Sequence, residues 1–139
     1  MEDKRMNIFE ATEFENIRDI IKNSVKEYPE NKAFILKETE GKNVKYKNIT
    51  YKEFDKDIDN LGTKLVEMGL NNLGTGLYEL GLKDKRIAII GKNRYEWVVS
   101  YLAVVNGTGI VIPLDKGLPE QEIEVSLKRS KADAIIFEN

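Results

Sequence analysis

The sequence has no cysteine and no histidine. Without a thiol there is no disulfide, no thiolate zinc site and no cysteine nucleophile, and without an imidazole there is no histidine-dependent triad. Proline is scarce, with 3 residues, and neither charge dominates: 22 Lys plus Arg against 24 Asp plus Glu leave a formal net charge of −2. The charges are interleaved, as in Lys83-Asp84-Lys85-Arg86, which is the pattern of a solvated surface and not of a nucleic-acid footprint. Long hydrophobic runs are missing too. The longest apolar stretch, Trp97 to Val105, is interrupted by Ser100 and falls far short of a transmembrane span. Met1 to Phe9 has charges but no apolar core, so no secretion signal is read and a cytoplasmic protein is expected. In that setting the triplets Asn48-Ile49-Thr50 and Asn106-Gly107-Thr108 carry no weight as glycosylation acceptors. Together these absences argue against a self-contained hydrolase or metalloenzyme.

What is present is enough for a core. With 139 residues, 41% of them hydrophobic, the chain has the size and composition of one folded domain. Phe14, Ile17, Ile20, Ile21, Val25 and Tyr28 fall at helical spacing until Pro29 and Asn31 end the pattern. Ala33 to Leu36 and Val44 to Ile49 read as two strands of a hairpin, separated by the polar segment Lys37 to Asn43 with Gly41 as the turn residue. Thr50-Tyr51-Lys52-Glu53 has the form of a capping box, which starts a helix at Tyr51. Its apolar positions Phe54, Ile58, Leu61, Leu65 and Met68 keep to one face, and Gly69 followed by Leu70 is a stop.

A tandem duplication follows. Residues 60–71 are answered by residues 72–83, with eight of the twelve aligned positions identical. Two copies do not make a solenoid. At about 100° per residue, twelve residues turn a helix through three turns plus about 120°, so the second copy cannot continue the first copy's face, and a break is expected near Gly69 to Asn72. Gly74 and Gly76 have no preceding strand and no Gly-Lys-Ser/Thr ending, which argues against a phosphate loop.

From Arg86 onward the pattern alternates. Ile87-Ala88-Ile89-Ile90 reads as a strand buried on both faces, Tyr95 to Asn106 as a helix closed by Gly107, and Ile110-Val111-Ile112 as a second buried strand ended by Pro113. Pro119 sits at the first turn of a further helix carrying Ile123, Val125 and Leu127 and fading at Ser130, and Ala134 to Phe137 forms a third strand. Strand, helix, strand, helix, strand at this spacing implies right-handed crossovers and a mainly parallel sheet. The fold class is α/β: an N-terminal helix and β-hairpin in 1–49, a helical segment with the duplication in 50–83, and a βαβαβ unit in 84–139.

In open α/β sheets ligands bind beyond the carboxyl ends of the strands, here Gly91 to Tyr95 and Pro113 to Leu118. Neither loop has a dinucleotide fingerprint or a Walker sequence. Arg94 has the chemistry to grip a carboxylate or phosphate, but a solvated side chain or a pair with Glu96 is the plainer reading. Trp97 fits the wall of an apolar pocket, or more simply fixes its helix on the sheet. Asp115 suits a ligand or metal less well than a turn, since Asp commonly accepts from local backbone amides.

The run Asp84 to Trp97, followed by Tyr101-Leu102-Ala103-Val104-Val105-Asn106-Gly107-Thr108-Gly109, resembles the N-terminal region of AMP-forming acyl-CoA synthetases, above all the bacterial long-chain fatty-acid type. Ile112 to Asp115, Leu118-Pro119, Glu122-Ile123, Leu127, Ser130 and Ala132 to Phe137 are similar to that family's next helix and strand, and Thr50 to Phe54 resembles its entry into the preceding helix. One copy of the duplication looks like an insertion into the family pattern. The resemblance implies an incomplete piece of a larger adenylate-forming fold. It implies, for the full-length parent, activation of a carboxylic acid with ATP and magnesium, release of pyrophosphate, and capture of the acyl adenylate by the thiol of coenzyme A. The family's phosphate loop, adenine-binding segment, ribose-binding Asp, hinge and catalytic Lys all lie further along than Asn139. No catalytic, cofactor-binding or metal-binding residue is therefore carried over onto this chain.

Two other readings stand beside this one. A non-enzymatic α/β interaction module derived from the same family would share every feature above, and in either case an incomplete sheet implies self-association through an open edge or marginal stability. A small nucleotide-binding domain of receiver or flavodoxin type would want acidic or glycine-rich loops at the strand ends, which are missing. The duplication yields a prediction: a chain lacking 72–83 keeps its thermal midpoint or raises it. Loss of cooperative unfolding in that variant would show that the second copy has been recruited into the core.

Overall fold

A computed structural model describes residues 12–68, 84–107 and 109–138. The first helix, α1 (Ile17–Glu27), starts where the Asn16 side chain accepts a hydrogen bond from the Asp19 amide at 3.0 Å. Phe14, expected on its apolar face, precedes this cap and lies outside the helix. The hairpin strands β1 (Lys32–Glu40) and β2 (Asn43–Thr50) pair antiparallel. They are longer than the apolar pattern indicates: Lys37, Glu38, Thr39 and Glu40 pair with Tyr46, Lys45, Val44 and Asn43 around a tight turn in which Gly41 takes φ +63°. The strand ends face solvent on both sides, so no alternation marks them, and they are held by ladder hydrogen bonds and a cross-strand ion pair of Lys45 with Glu40 at 3.2 Å.

Helix α2 (Tyr51–Glu67) begins with the expected capping box: Thr50 Oγ1 accepts from the Glu53 amide at 3.2 Å, and the Glu53 carboxylate accepts from the Thr50 amide at 2.8 Å. That second bond, together with the one from the Thr50 hydroxyl, holds the Glu53 carboxyl below its ordinary range. Phe54, Ile58 and Leu65 are buried as expected. Met68 is not; it is the C-cap and is 76% exposed, because the helix ends one residue before it. The proposed stop at Gly69 and the second copy of the duplication lie outside the described residues. Lys22 ties α1 to α2, its ammonium 2.8 Å from both Asp55 and Asp59. Burial works against the Lys22 charge, but the hydrogen bonds and charges of the two carboxylates outweigh it and raise its pKa.

The βαβαβ unit consists of β3 (Arg86–Ile90), α3 (Tyr95–Asn106), β4 (Ile110–Leu114), α4 (Glu120–Ser130) and β5 (Ala134–Phe137). The sheet is parallel, in the order β4-β3-β5. Only the middle strand is buried on both faces, with Ile87, Ala88 and Ile89 at most 2% exposed. Strand β4 is an edge, and its expected burial is corrected: Ile110 is 45% exposed. Pro113 does not end β4 but belongs to it, opposite Ile89. The Ile110 amide donates inward to Lys85 O at 2.8 Å, so the alternate positions Val111 and Pro113 turn their nitrogens outward, where a missing N–H breaks no ladder bond. Pro119 likewise stands one position earlier than expected, as the N-cap of α4, its carbonyl accepting from the Glu122 and Ile123 amides.

Because the chain moves from β3 to β4 in one direction and back across β3 to β5 in the other, right-handed crossovers place α3 and α4 on opposite faces of the sheet. Helix α3 is apolar almost all round because it is covered on two sides. Val99, Leu102 and Ala103 join Ile49, Phe54 and Ile58 in a core with the hairpin and α2, while Val104 meets Ile87, Ile89 and Leu65 above the sheet. Ile58→Ala removes a side chain that is 1% exposed and is expected to lower the stability by about 2–5 kcal/mol in urea unfolding. Met68→Ala, at the exposed end of the same helix, is expected to change it by less than about 0.5 kcal/mol.

Candidate functional site

The carboxyl ends of β3 and β5 and the first turn of α3 enclose a small cleft of about 190 Å³. Its walls are apolar, made by Ile89, Trp97, Ile136 and Phe137, and its mouth carries Lys92, Arg94 and Glu138. The strand register explains the meeting of these groups. Ile90 pairs with Phe137, so the residues that follow them, Gly91 and Glu138, leave the sheet side by side. The Glu138 carboxylate then accepts from the Lys92 amide at 3.2 Å and pairs with Arg94 Nη1 at 2.7 Å, with Lys92 Nζ at 4.0 Å. The Lys92 amide first, and then the charges of Arg94, Lys92 and Lys116, hold the Glu138 carboxyl below the usual carboxylate range.

Arg94 thus stands at the cleft, as the sequence allowed, but its partner is Glu138 and not Glu96. Trp97 takes part in both roles considered for it. It lines the cleft, stacks on Tyr101 with ring centroids 5.5 Å apart, and packs against the cluster that seats α3 on the sheet. Asp115 serves the turn: its Oδ1 accepts from the Gly117 amide at 2.8 Å. Glu138 was invisible to sequence reasoning, since nothing marks the residue after a strand as the partner of an arginine until the register is known. The same holds for Tyr95, whose hydroxyl donates to Asp57 Oδ2 at 2.7 Å beneath a cluster of Phe34, Phe54 and Tyr95 rings. Burial, and then the Asp57 hydrogen bond and charge, push the Tyr95 phenol far above its ordinary value. On the outer side of the same segment, Asn93 to Val98 forms one wall of a wider groove of about 970 Å³ against β1.

These residues do not fit the ATP, magnesium and coenzyme A that the sequence resemblance implies for a parent protein. No three carboxylates among the described residues are grouped to hold a metal ion. The guanidinium at the cleft mouth is already paired with Glu138, and the cleft is smaller than the roughly 300 Å³ at the low end of small-molecule sites. What the arrangement does is fix the path of the chain after β5 relative to the loop after β3.

The lowered pKa of Glu138 gives a pH dependence. A carboxyl held below its unfolded value contributes stability above that value and loses it as the pH falls through the folded pKa. The difference in urea midpoint between the parent chain and Glu138→Gln is therefore expected to be full near neutral pH and to shrink below the ordinary value of 4.5. A difference that stays constant down to strongly acidic pH would show that the carboxylate has no such role.

A family model described as "AMP-binding enzyme" matches residues 21–139. Fatty acyl-CoA synthetase A of Dictyostelium discoideum is 32% identical over 99 residues, which cover 71% of this chain and 13% of that protein. The N-terminal subdomain of Klebsiella oxytoca NpsA, solved in complex with 3-hydroxyanthranilyl-AMSN, is similar with a TM-score of 0.72 and 20% identity, covering 91% of this chain and 28% of that one. The artificially fused adenylation-PCP di-domain NpsA-ThdA from the same organism gives a TM-score of 0.72 at 19% identity, over 93% of this chain and 22% of that one. At such identities the structural likeness speaks to the fold, and the fold is that of part of the N-terminal subdomain of adenylate-forming enzymes. The chain spans between 13% and 28% of the length of these relatives. A match that runs from the middle of α1 past the end of β5 makes the chain a member of the AMP-binding enzyme family of adenylate-forming enzymes.

Proposed function

We propose that the chain is an N-terminal fragment of an ATP-dependent, AMP-forming acyl-CoA synthetase that joins a fatty acid to coenzyme A, releasing AMP and pyrophosphate. The fragment is inactive alone. Its three parts, 1–49, 50–83 and 84–139, give structural support to an active site built by other segments of a cytoplasmic parent, and the partner it requires is the rest of that polypeptide. The observation that carries this reading is the 32% identity to a fatty acyl-CoA synthetase over 71% of the chain. The poverty of the cleft supports it as well: Arg94 is consumed by Glu138, and neither loop supplies a phosphate cradle. Exposed apolar residues on the two edge strands, Ile110 of β4 and Ile135 and Phe137 of β5, support a surface that other parts of a larger protein cover, and the β5 edge supports self-association of the isolated chain.

The test is ATP–pyrophosphate exchange with a series of fatty acids. The chain alone is expected to give no exchange above a protein-free blank. A longer product of the same reading frame, extended beyond Asn139 through a Ser/Thr-Gly-rich loop and a late Lys, is expected to exchange. Substantial exchange by the 139-residue chain would overturn the assignment of catalysis to other segments. A stop codon directly after Asn139 in the gene would replace the synthetase reading with that of a non-enzymatic interaction module.

A further inference from the structure

Residues 60–71 and 72–83 are near-copies, and the first copy supplies the end of α2, Asn60 to Glu67. Its contacts show which positions of the copy the fold uses. Leu65 is 5% exposed and packs with Ile87, Ile89 and Val104 above the sheet. Leu61, one turn earlier, packs against both this cluster and the one that contains Ile49 and Phe54. Gly62 lies against α3, where a Cβ would stand 3.7 Å from the Ala103 carbonyl oxygen. Thr63, Lys64 and Glu67 face solvent, Lys64 and Glu67 paired at 2.6 Å, and Val66 is half-buried.

The second copy lies outside the described residues, but its sequence states what it would present at the same helical positions. Leu61, Gly62 and Leu65 recur as Leu73, Gly74 and Leu77. The differences fall elsewhere: Lys64 is answered by Gly76, Val66 by Tyr78, Met68 by Leu80 and Asn71 by Lys83. Lys64 and Met68 are exposed, and of the described positions that differ only Val66 packs against the core. Each copy thus carries the groups that seat the end of α2. Only one copy can be seated at a time, because twelve residues leave a helix about 120° out of register. We propose that α2 is a two-register helix, in which residues 72–79 can take the place of residues 60–67 while residues 60–71 loop out after Asp59. The exchange shortens the connection to β3 from residues 68–85 to residues 80–85, which when extended reach about 20 Å. The first copy holds the seat because Gly76 is a poor helix residue, the Lys64–Glu67 pair has no counterpart, and a loop within α2 adds a second pair of unsatisfied helix ends. A charge buried in place of Leu65 is costlier and tips the exchange toward the second copy.

The experiment is a double-variant cycle in the full chain, read by urea unfolding. Leu77→Asp is expected to leave the midpoint where it is, and Leu65→Asp to lower it only in part, because Leu77 then fills the seat. The variant carrying both changes is expected to lose far more than the sum of the two single shifts, or not to fold at all. A double variant whose shift does not exceed that sum overturns the proposal, as does loss of the cooperative transition in Leu65→Asp alone. Since the chain has no cysteine, a thiol introduced by Leu77→Cys reports on the second copy by itself. Its labelling is expected to slow by about tenfold or more when Leu65→Asp is added, as the thiol passes from an open position into the core. Equal labelling rates in the two backgrounds also overturn the exchange.

Discussion

The contact of α3 with β3 is the constraint on which the other elements depend. Val104, Ile87 and Ile89 are each at most 2% exposed, and they meet where one helix is pressed between a sheet and a second layer. A helix covered on one side needs one apolar stripe; this one is covered on two, so Val99, Leu102 and Ala103 must be apolar as well. Helix α2 and the hairpin then have a surface to pack on that they could not make for themselves, since a lone two-stranded ribbon is marginal in water. The sheet gains equally, because its middle strand requires cover on both faces.

The same contact places the loop after β3. Since α3 cannot shift against the sheet without breaking the Val104 contact, its first turn and the residues Gly91 to Arg94 are held at a fixed height above the strand ends. Glu138 is held at the same height by the pairing of β5 with β3. The ion pair between Arg94 and Glu138 is therefore a product of two rigid attachments, and its geometry costs less side-chain entropy than an ordinary surface pair would. Tyr95 repeats the logic on the other side of the turn, where Asp57 of α2 receives its hydroxyl.

Much of this was legible in the residues. The capping box at Thr50, the buried run from Ile87 to Ile90 and the helix from Tyr95 to Asn106 each announce themselves by local chemistry that the tertiary structure does not contradict. The outer half of the hairpin could not be read, because Lys37 to Glu40 pair through their backbone with no apolar period to mark it. The edge position of β4 was hidden for a related reason: Ile110-Val111-Ile112 reads as a buried strand, and only the strand order shows that nothing among the described residues lies beyond it. At the candidate site Arg94 and Trp97 were visible by type and position, whereas the roles of Glu138 and Asp57 depend on which segments the fold brings together. Local signals fix elements; partners are decided by register.

Pro113 gives the sheet a direction. With its ring on the outer side of β4, that margin lacks a donor at the one place where an added strand would need it beside Val111, so it is a poor template for β-augmentation. The opposite margin, β5, has no proline. Of the three strands it is also the last in chain order. During synthesis β3 and β4 emerge first, so until β5 follows the competent edge is the side of β3 that β5 will occupy, and β5 replaces one proline-free margin with another.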